Sequence, residues 1–302
     1  MPRLPLLRRH VSGRFIIEVL RLKRLAVPLA FLPPLALLVW SFGQAPWPRF
    51  WAAIVGAYLL AKAYVWWRDR PRHVVAPLWR HFAFLWAWPG MDPRRFLDPE
   101  RRAVQSGSRD LLWGAGFVVA GALLWHHGLP VVEGQPLWVR GVVAITALGW
   151  LLFFGAARLL CGIWRRLGVD CAPQWDRPLL APSVSEFWRR RWNRAFHRIA
   201  LRHVYAPLVA PLGRTGASLA VFVSSGVAHE FVISLPAGGG YGLPSAFFGI
   251  QAAGIAVQQS ALGRRLGLDG GWPGWLFAVC VIAGASGLLF HAPFLERVIF
   301  SR

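Results

Sequence analysis

An all-α, polytopic membrane protein is the fold class this sequence predicts, and three observations carry the prediction. Of 302 residues, 56% are hydrophobic and only 16% are charged, with a mean hydropathy of +0.43, well outside the make-up of a soluble domain. The apolar residues gather in runs close to the length, about 20 residues, that a helix needs to cross the hydrocarbon core. The basic residues sit in short clusters between those runs, as the positive-inside rule describes. An open sheet is excluded at that depth because lipid cannot satisfy its edges, and no porin-like alternation is visible.

The basic amino terminus (Arg3, Arg8, Arg9, Arg14, Arg21, Lys23, Arg24) precedes a first run over 25–42. That run lacks a small-residue cleavage site, so it reads as a retained span and not a signal peptide. Further spans follow near 50–67, 110–129, 138–163, 215–235, 244–262 and 272–292, about seven in all. Val74–Trp88, interrupted by Arg80 and His81, predicts a re-entrant or interfacial helix. Ile199–Leu212, broken by Arg202, His203, Pro207 and Pro211, predicts a segment that dips in and returns. The basic amino terminus, Arg68–Arg72, Arg94–Arg109, Arg165–Arg198 and Arg264–Arg265 are expected on the cytoplasmic side. Gly43–Arg49, His126–Pro136 and Ala237–Gly242 are expected opposite. No repeat or soluble segment divides the chain, so residues 1–302 are expected to form one membrane-embedded domain with its amino terminus cytoplasmic. The Arg-rich, Lys-poor composition points to a bacterial cytoplasmic membrane.

The net charge of +21 does not predict a nucleic-acid partner, because so little soluble surface remains to carry one. Cys161, Cys171 and Cys280 show no Cys-x-x-Cys spacing, and no metal site is expected. His126 and His127 end a span without a second ligand pair and read as interface residues. Lys62 and Arg158 read as snorkelling or paired cations. Gln258 and Gln259 are candidates for interhelical hydrogen bonds, with Gln251 lying deeper. His81 and His291 have no evident partner in the sequence.

The span Thr215–Leu235 holds His229 and Glu230 side by side. An ionisable group in mid-bilayer costs about 2.5–3.5 kcal/mol on insertion scales, so such a residue usually faces a cavity and has work there. His229 lies about 21 Å along the helix from the basic end of its span. Adjacent residues diverge by about 100°, so only one of the two points straight into a narrow site. His229 is the better reactive group, since a neutral imidazole accepts a proton near neutral pH. Glu230 then orients another helix by pairing with an Arg, or is held protonated by desolvation. Ser225 shares the His229 face, while Gly216 and Gly226 allow close approach of a helix or a substrate chain. The bland alternative is a His–Glu pair that only joins helices.

A second constellation spans Ser183–Ile199. Ser183 and Glu186 form a capping-box signature, which starts a helix. Winding on from there puts Trp188, Trp192, Ala195, Phe196 and Ile199 on one stripe and Arg189, Arg190, Asn193 and His197 on the other, an interfacial pattern. Membrane anchoring explains the tryptophans and Arg189–Arg191. It does not explain Asn193, whose amide can donate to a carbonyl oxygen as negative charge develops. Arg189 and Arg190 suit phosphates.

Together, SxxEFWxRRWN and, about 35 residues later, SGxxHE resemble the wax synthase branch of the membrane-bound O-acyltransferase family over roughly Asp170–Gln259. The resemblance implies that His229 is catalytic and Asn193 the second functional position. It implies acyl-CoA as donor substrate, with no bound cofactor, and a hydrophobic alcohol or other hydroxyl compound as acceptor. Trp188, Trp192, Arg189, Arg190, Ser225 and Glu230 are the expected substrate-binding residues. Arg189 stands where a Gly is expected after Phe187–Trp188. The rival class is a proton-coupled transporter with His229 and Glu230 as relay, though the inverted symmetry of such proteins is not visible.

Overall fold

The computed structural model describes residues 29–71, 74–103 and 105–301. The basic cluster from Arg3 to Arg24, the start of the 25–42 run, and Arg72 lie outside the described residues. The described chain is helical, with no strand among its residues. Each predicted span coincides with a helix: α1 (Leu29–Ser41), α2 (Pro46–Asp69), α4 (Ser108–Val131), α5 (Leu137–Arg166), α7 (Arg194–Ala237), α8 (Leu243–Gln259) and α9 (Gly271–Leu289). Five of them, α2, α4, α5, α7 and α9, are long and apolar enough to cross a membrane. At 17 residues α8 is just shorter.

Short helices lie between the spans, and two of them position buried polar groups. Nine residues form α3 (Leu78–Trp86), too short to cross. Its Leu78 and Phe82 point outward, 77% and 65% exposed, while Arg80 and Phe84 point inward. Buried Arg80 donates from Nη1 to the carbonyls of Phe96 (3.2 Å) and Asp98 (2.7 Å). Burial lowers its pKa from the ordinary value, and the charge of Asp98 opposes that shift. His81 does have a partner, its Nδ1 accepting from Trp66 Nε1 at 2.9 Å. The second short helix, α6, runs over Val184–Glu186 and continues as the π-turn Phe187–Arg191.

One expectation about continuity is corrected. The single helix foreseen over Ser183–Ile199 is divided at Trp192, which is extended, and Asn193, which is left-handed at φ 42° and ψ 59°. Ile199–Leu212 is helical, and the non-helical Gly213 at its end separates it from the stretch of α7 that follows. A π-turn at Ala200–Tyr205 precedes Pro207, and such local adjustments compensate for the hydrogen bond that proline cannot donate. The break is confined to Gly213, at φ 66° and ψ 176°, two residues beyond Pro211. Glycine reaches that conformation without a Cβ clash.

Packing follows small residues and buried charge. A Cβ on Gly114 of α4 would meet the Leu159 amide nitrogen of α5 at 2.8 Å, and one on Gly121 would meet that of Leu151 at 2.9 Å, so these glycines permit the closeness of the hairpin. Asp110 on α4 binds Arg158 at 3.1 Å and Arg165 at 2.5 Å on α5. Lys62 is paired, as read, but does not snorkel. It is fully buried, donates to Gly90 O and lies 3.6 Å above the Phe84 ring. One turn earlier, Tyr58 donates to Pro89 O, so α2 pins this loop at two points. Cys161 and Cys171, ten residues apart, bring their sulfurs within 3.8 Å, a proximity that their sequence spacing does not announce.

Candidate active site

The His229 ring stands at the carboxyl end of the regular part of α7, half-buried, immediately before a π-turn over Glu230–Ser234. Its Nδ1 lies 2.7 Å from the backbone oxygen of Ser225, one turn back. A carbonyl only accepts, so in the neutral ring Nδ1 carries the hydrogen and Nε2 keeps its lone pair. Ser225 therefore contributes through its main chain, while its hydroxyl bonds back to Val221 O at 2.9 Å. The ring of Phe248, on α8, covers the imidazole with centroids 4.6 Å apart.

Glu230 does orient another helix, but its partner is a helix end and not an arginine. Its Oε1 accepts from Gly242 N (3.1 Å), Ser245 N (2.9 Å) and Ser245 Oγ (2.8 Å). These donors sit at the amino terminus of α8, where backbone N–H groups are otherwise unsatisfied and the helix dipole favours negative charge. Close approach at Gly226 makes this possible, for a Cβ there would meet Ser245 Cα at 3.0 Å. Gly216 has no such role, since a Cβ there would meet only Leu212 of its own helix.

α8 also holds the second constellation. Trp188 of α6 packs on Phe248 (5.7 Å), Phe247 (6.4 Å) and Phe222 (6.2 Å). Phe248 is thus the common neighbour of Trp188 and His229. Gln251, fully buried, accepts from Trp188 Nε1 at 3.4 Å and donates to Val281 O of α9 at 3.1 Å. Two turns on, Gln258 accepts from Ser185 N at 3.3 Å and donates to Ser185 Oγ at 3.0 Å. The α6 helix starts where Ser183 Oγ accepts from Glu186 N at 3.2 Å. The Glu186 carboxylate, instead of completing the capping box, binds Arg191 at 2.7 Å.

Asn193 begins the next stretch of helix, its Oδ1 accepting from Phe196 N at 3.3 Å. No contact among the described residues joins it to His229. Trp192 lies in an aromatic stack with Phe187 (5.5 Å, 12° between planes) and edge-on to Trp175 and Phe153. Arg189 and Arg190 are exposed and form no ion pair among the described residues. His291, unpartnered in the sequence reading, has Nε2 3.3 Å from Ser234 Oγ and accepts at Nδ1 from Phe294 N at 3.2 Å. Sequence reasoning passed over Phe248 altogether, because a phenylalanine in an apolar span carries no signal of its own.

The site can therefore present one basic imidazole nitrogen beside an aromatic wall, with the tryptophan of α6 on the far side of that wall. Residues 137–240, about a third of the chain, match the family model of MBOAT, the membrane-bound O-acyltransferase family. A probable long-chain-alcohol O-fatty-acyltransferase of Arabidopsis thaliana is 32% identical over 158 residues, covering 45% of this chain and 44% of its own length. A long-chain-alcohol O-fatty-acyltransferase of Simmondsia chinensis is 39% identical over 72 residues, 21% of this chain and 20% of its own. An acyl-CoA–sterol O-acyltransferase of Arabidopsis thaliana is 34% identical over 71 residues, 21% of each. The chain spans less than half the length of these curated relatives. The matches bear out the resemblance to the wax synthase branch of that family.

Proposed function

We propose that this membrane protein transfers a fatty acyl group from acyl-CoA to the hydroxyl of a hydrophobic alcohol, with His229 as general base and Asn193 as oxyanion support. The observation that carries the reading is the Nδ1 hydrogen bond to Ser225 O, which leaves the His229 Nε2 lone pair available. Nε2 takes the hydroxyl proton while the alcohol oxygen attacks the thioester carbonyl. The tetrahedral intermediate then expels the thiolate, which takes the proton back from the imidazolium. The ester and coenzyme A leave, and no acyl-enzyme forms. Asn193 is compatible with its role because Oδ1 is occupied by the Phe196 amide and the Nδ2 hydrogens remain for a developing oxyanion. We assign the basic end of the spans to the cytoplasm, where acyl-CoA would arrive, with Arg189 and Arg190 at that mouth.

The commitment of Glu230 Oε1 to three donors at α8 supports this reading over a His–Glu proton relay. Membranes containing the protein, supplied with labelled acyl-CoA and a panel of long-chain alcohols, should form labelled ester. General base catalysis is worth about 10²–10⁴ in rate, so His229→Ala should nearly abolish the product while the protein still accumulates. Absence of ester with every alcohol, or full turnover by the His229 variant, would overturn the proposal.

A further inference from the structure

Away from His229, a cavity of about 500 Å³ opens where α2 ends, walled by Arg68, Asp69, Arg70, Arg94, Asp98 and Arg101. Its size falls within the range of small-molecule sites, roughly 300–1,000 Å³. Four guanidinium groups face it from two separate segments. We propose that this cavity is a binding site for an anionic phosphate ester.

The two carboxylates in the wall are already engaged. Asp69 binds Arg202 Nε through Oδ1 at 3.1 Å and His203 Nε2 through Oδ2 at 3.0 Å, both on α7. The Oδ1 of Asp98 accepts from Glu100 N at 3.0 Å, and its Oδ2 lies 3.6 Å from Arg101 Nε. The negative end of the α2 dipole is partly covered too, since Asp69 O accepts from Arg94 Nε at 3.4 Å. Among the described lining residues, four arginines thus stand against two carboxylates that are already engaged. Arg68 makes no ion pair among the described residues.

The wall is also built rather than floppy. Stacked 4.2 Å above the buried Trp66 ring, the Arg70 guanidinium is fixed in orientation. The opposite segment is held from beneath by Arg80 on the Phe96 and Asp98 carbonyls, by Phe96 and Leu97 in the core, and by the ion pair of Arg95 with Asp170 at 2.5 Å. Guanidinium groups pre-positioned in this way suit the paired oxygens of a phosphate. Pro71 and Val74 are the apolar part of the described lining, and charge is the main attraction it offers.

A phosphate ester of this kind has two sources, a soluble nucleotide such as the bisphosphorylated end of coenzyme A, or an anionic lipid headgroup. The proposal does not depend on acyl transfer, and its test reads binding alone. Intact protein and the variant Arg68→Gln/Arg94→Gln would be titrated with adenosine 3′,5′-bisphosphate at low and high salt. In parallel, both would be reconstituted in mixed phosphatidylglycerol and phosphatidylcholine, and the retained lipid counted by native mass spectrometry. A loss of at least about tenfold in nucleotide affinity, with screening by salt, identifies the soluble ligand. A selective loss of phosphatidylglycerol identifies the headgroup. Arg68→Gln/Arg101→Gln, which spares the Arg94 bond to α2, serves where the first pair unfolds the protein. Unchanged binding in both arms overturns the proposal.

Discussion

An asparagine at position 193 answers two requirements with different atoms. Its left-handed backbone is one that asparagine tolerates better than most residues, and its Oδ1 caps the helix that follows. This explains why the residue is there without any chemistry, and the chemistry asks only for the remaining Nδ2 hydrogens. Asn193→Asp separates the two. Aspartate caps as well and also adopts the left-handed region, but it has no donor and would oppose an oxyanion. Ester formation should fall about 10²–10³-fold while the thermal midpoint in detergent stays put. Asn193→Ala, losing the cap and gaining backbone strain, should instead lower stability by at least about 1 kcal/mol. A purely structural Asn193 would leave the aspartate variant active. His229 was legible in sequence because burial of an ionisable group is costly wherever the helix sits. Phe248, its closest ring, was not, because nothing distinguishes one apolar residue of a span from another until the helices are docked.

At the scale of the element, α8 is the member that joins the two motifs. Glu230 holds its first turn, Phe248 meets the His229 ring and Trp188, and Gln251 and Gln258 fasten α6. The glutamines were visible as polar residues seeking partners, but the sequence does not say which helix supplies them. Likewise, Glu230 read as a residue that orients a helix, yet an arginine was expected because charge pairs are what a sequence displays and helix ends are not. Glu230→Ala leaves the Gly242 and Ser245 amides without their acceptor, at a cost of about 0.5–2 kcal/mol for a lost cap, and loosens Phe248 against the imidazole. Glu230→Gln keeps an acceptor at Oε1 and should retain most of the activity. A loss of activity in Glu230→Gln as deep as that of His229→Ala would mean that the carboxylate itself takes part in proton transfer, and the capping account would then be incomplete.

Across the whole molecule, the surplus of cations makes the few carboxylates decisive. With 13 Asp and Glu against 34 Lys and Arg, the sequence reads as an orientation signal, and its apolar runs locate the helices. The tertiary links come from the minority charge. Asp69 ties α2 to Arg202 and His203 of α7, Asp92 pairs with Arg198, and Asp170 with Arg95. Each joins residues more than seventy positions apart, and such pairings have no local signature to read. Asp110 is the sharpest case, since it is nearly buried and holds both Arg158 and Arg165, whose side chains are themselves only 19% and 11% exposed. Removing it strands Arg158 without a carboxylate, whereas Arg165 keeps its bonds to Cys171 O and Gln105 Oε1. Breaking one side of a buried pair commonly costs about 3–5 kcal/mol, because the remaining charge stays desolvated. Asp110→Leu should therefore lower the thermal midpoint markedly. Adding Arg158→Met should restore much of the loss, since the second change removes the charge that the first abandoned. Were the carboxylates only bystanders to an Arg-rich surface, the single variant would unfold at the parent temperature and the second substitution would have nothing to repair.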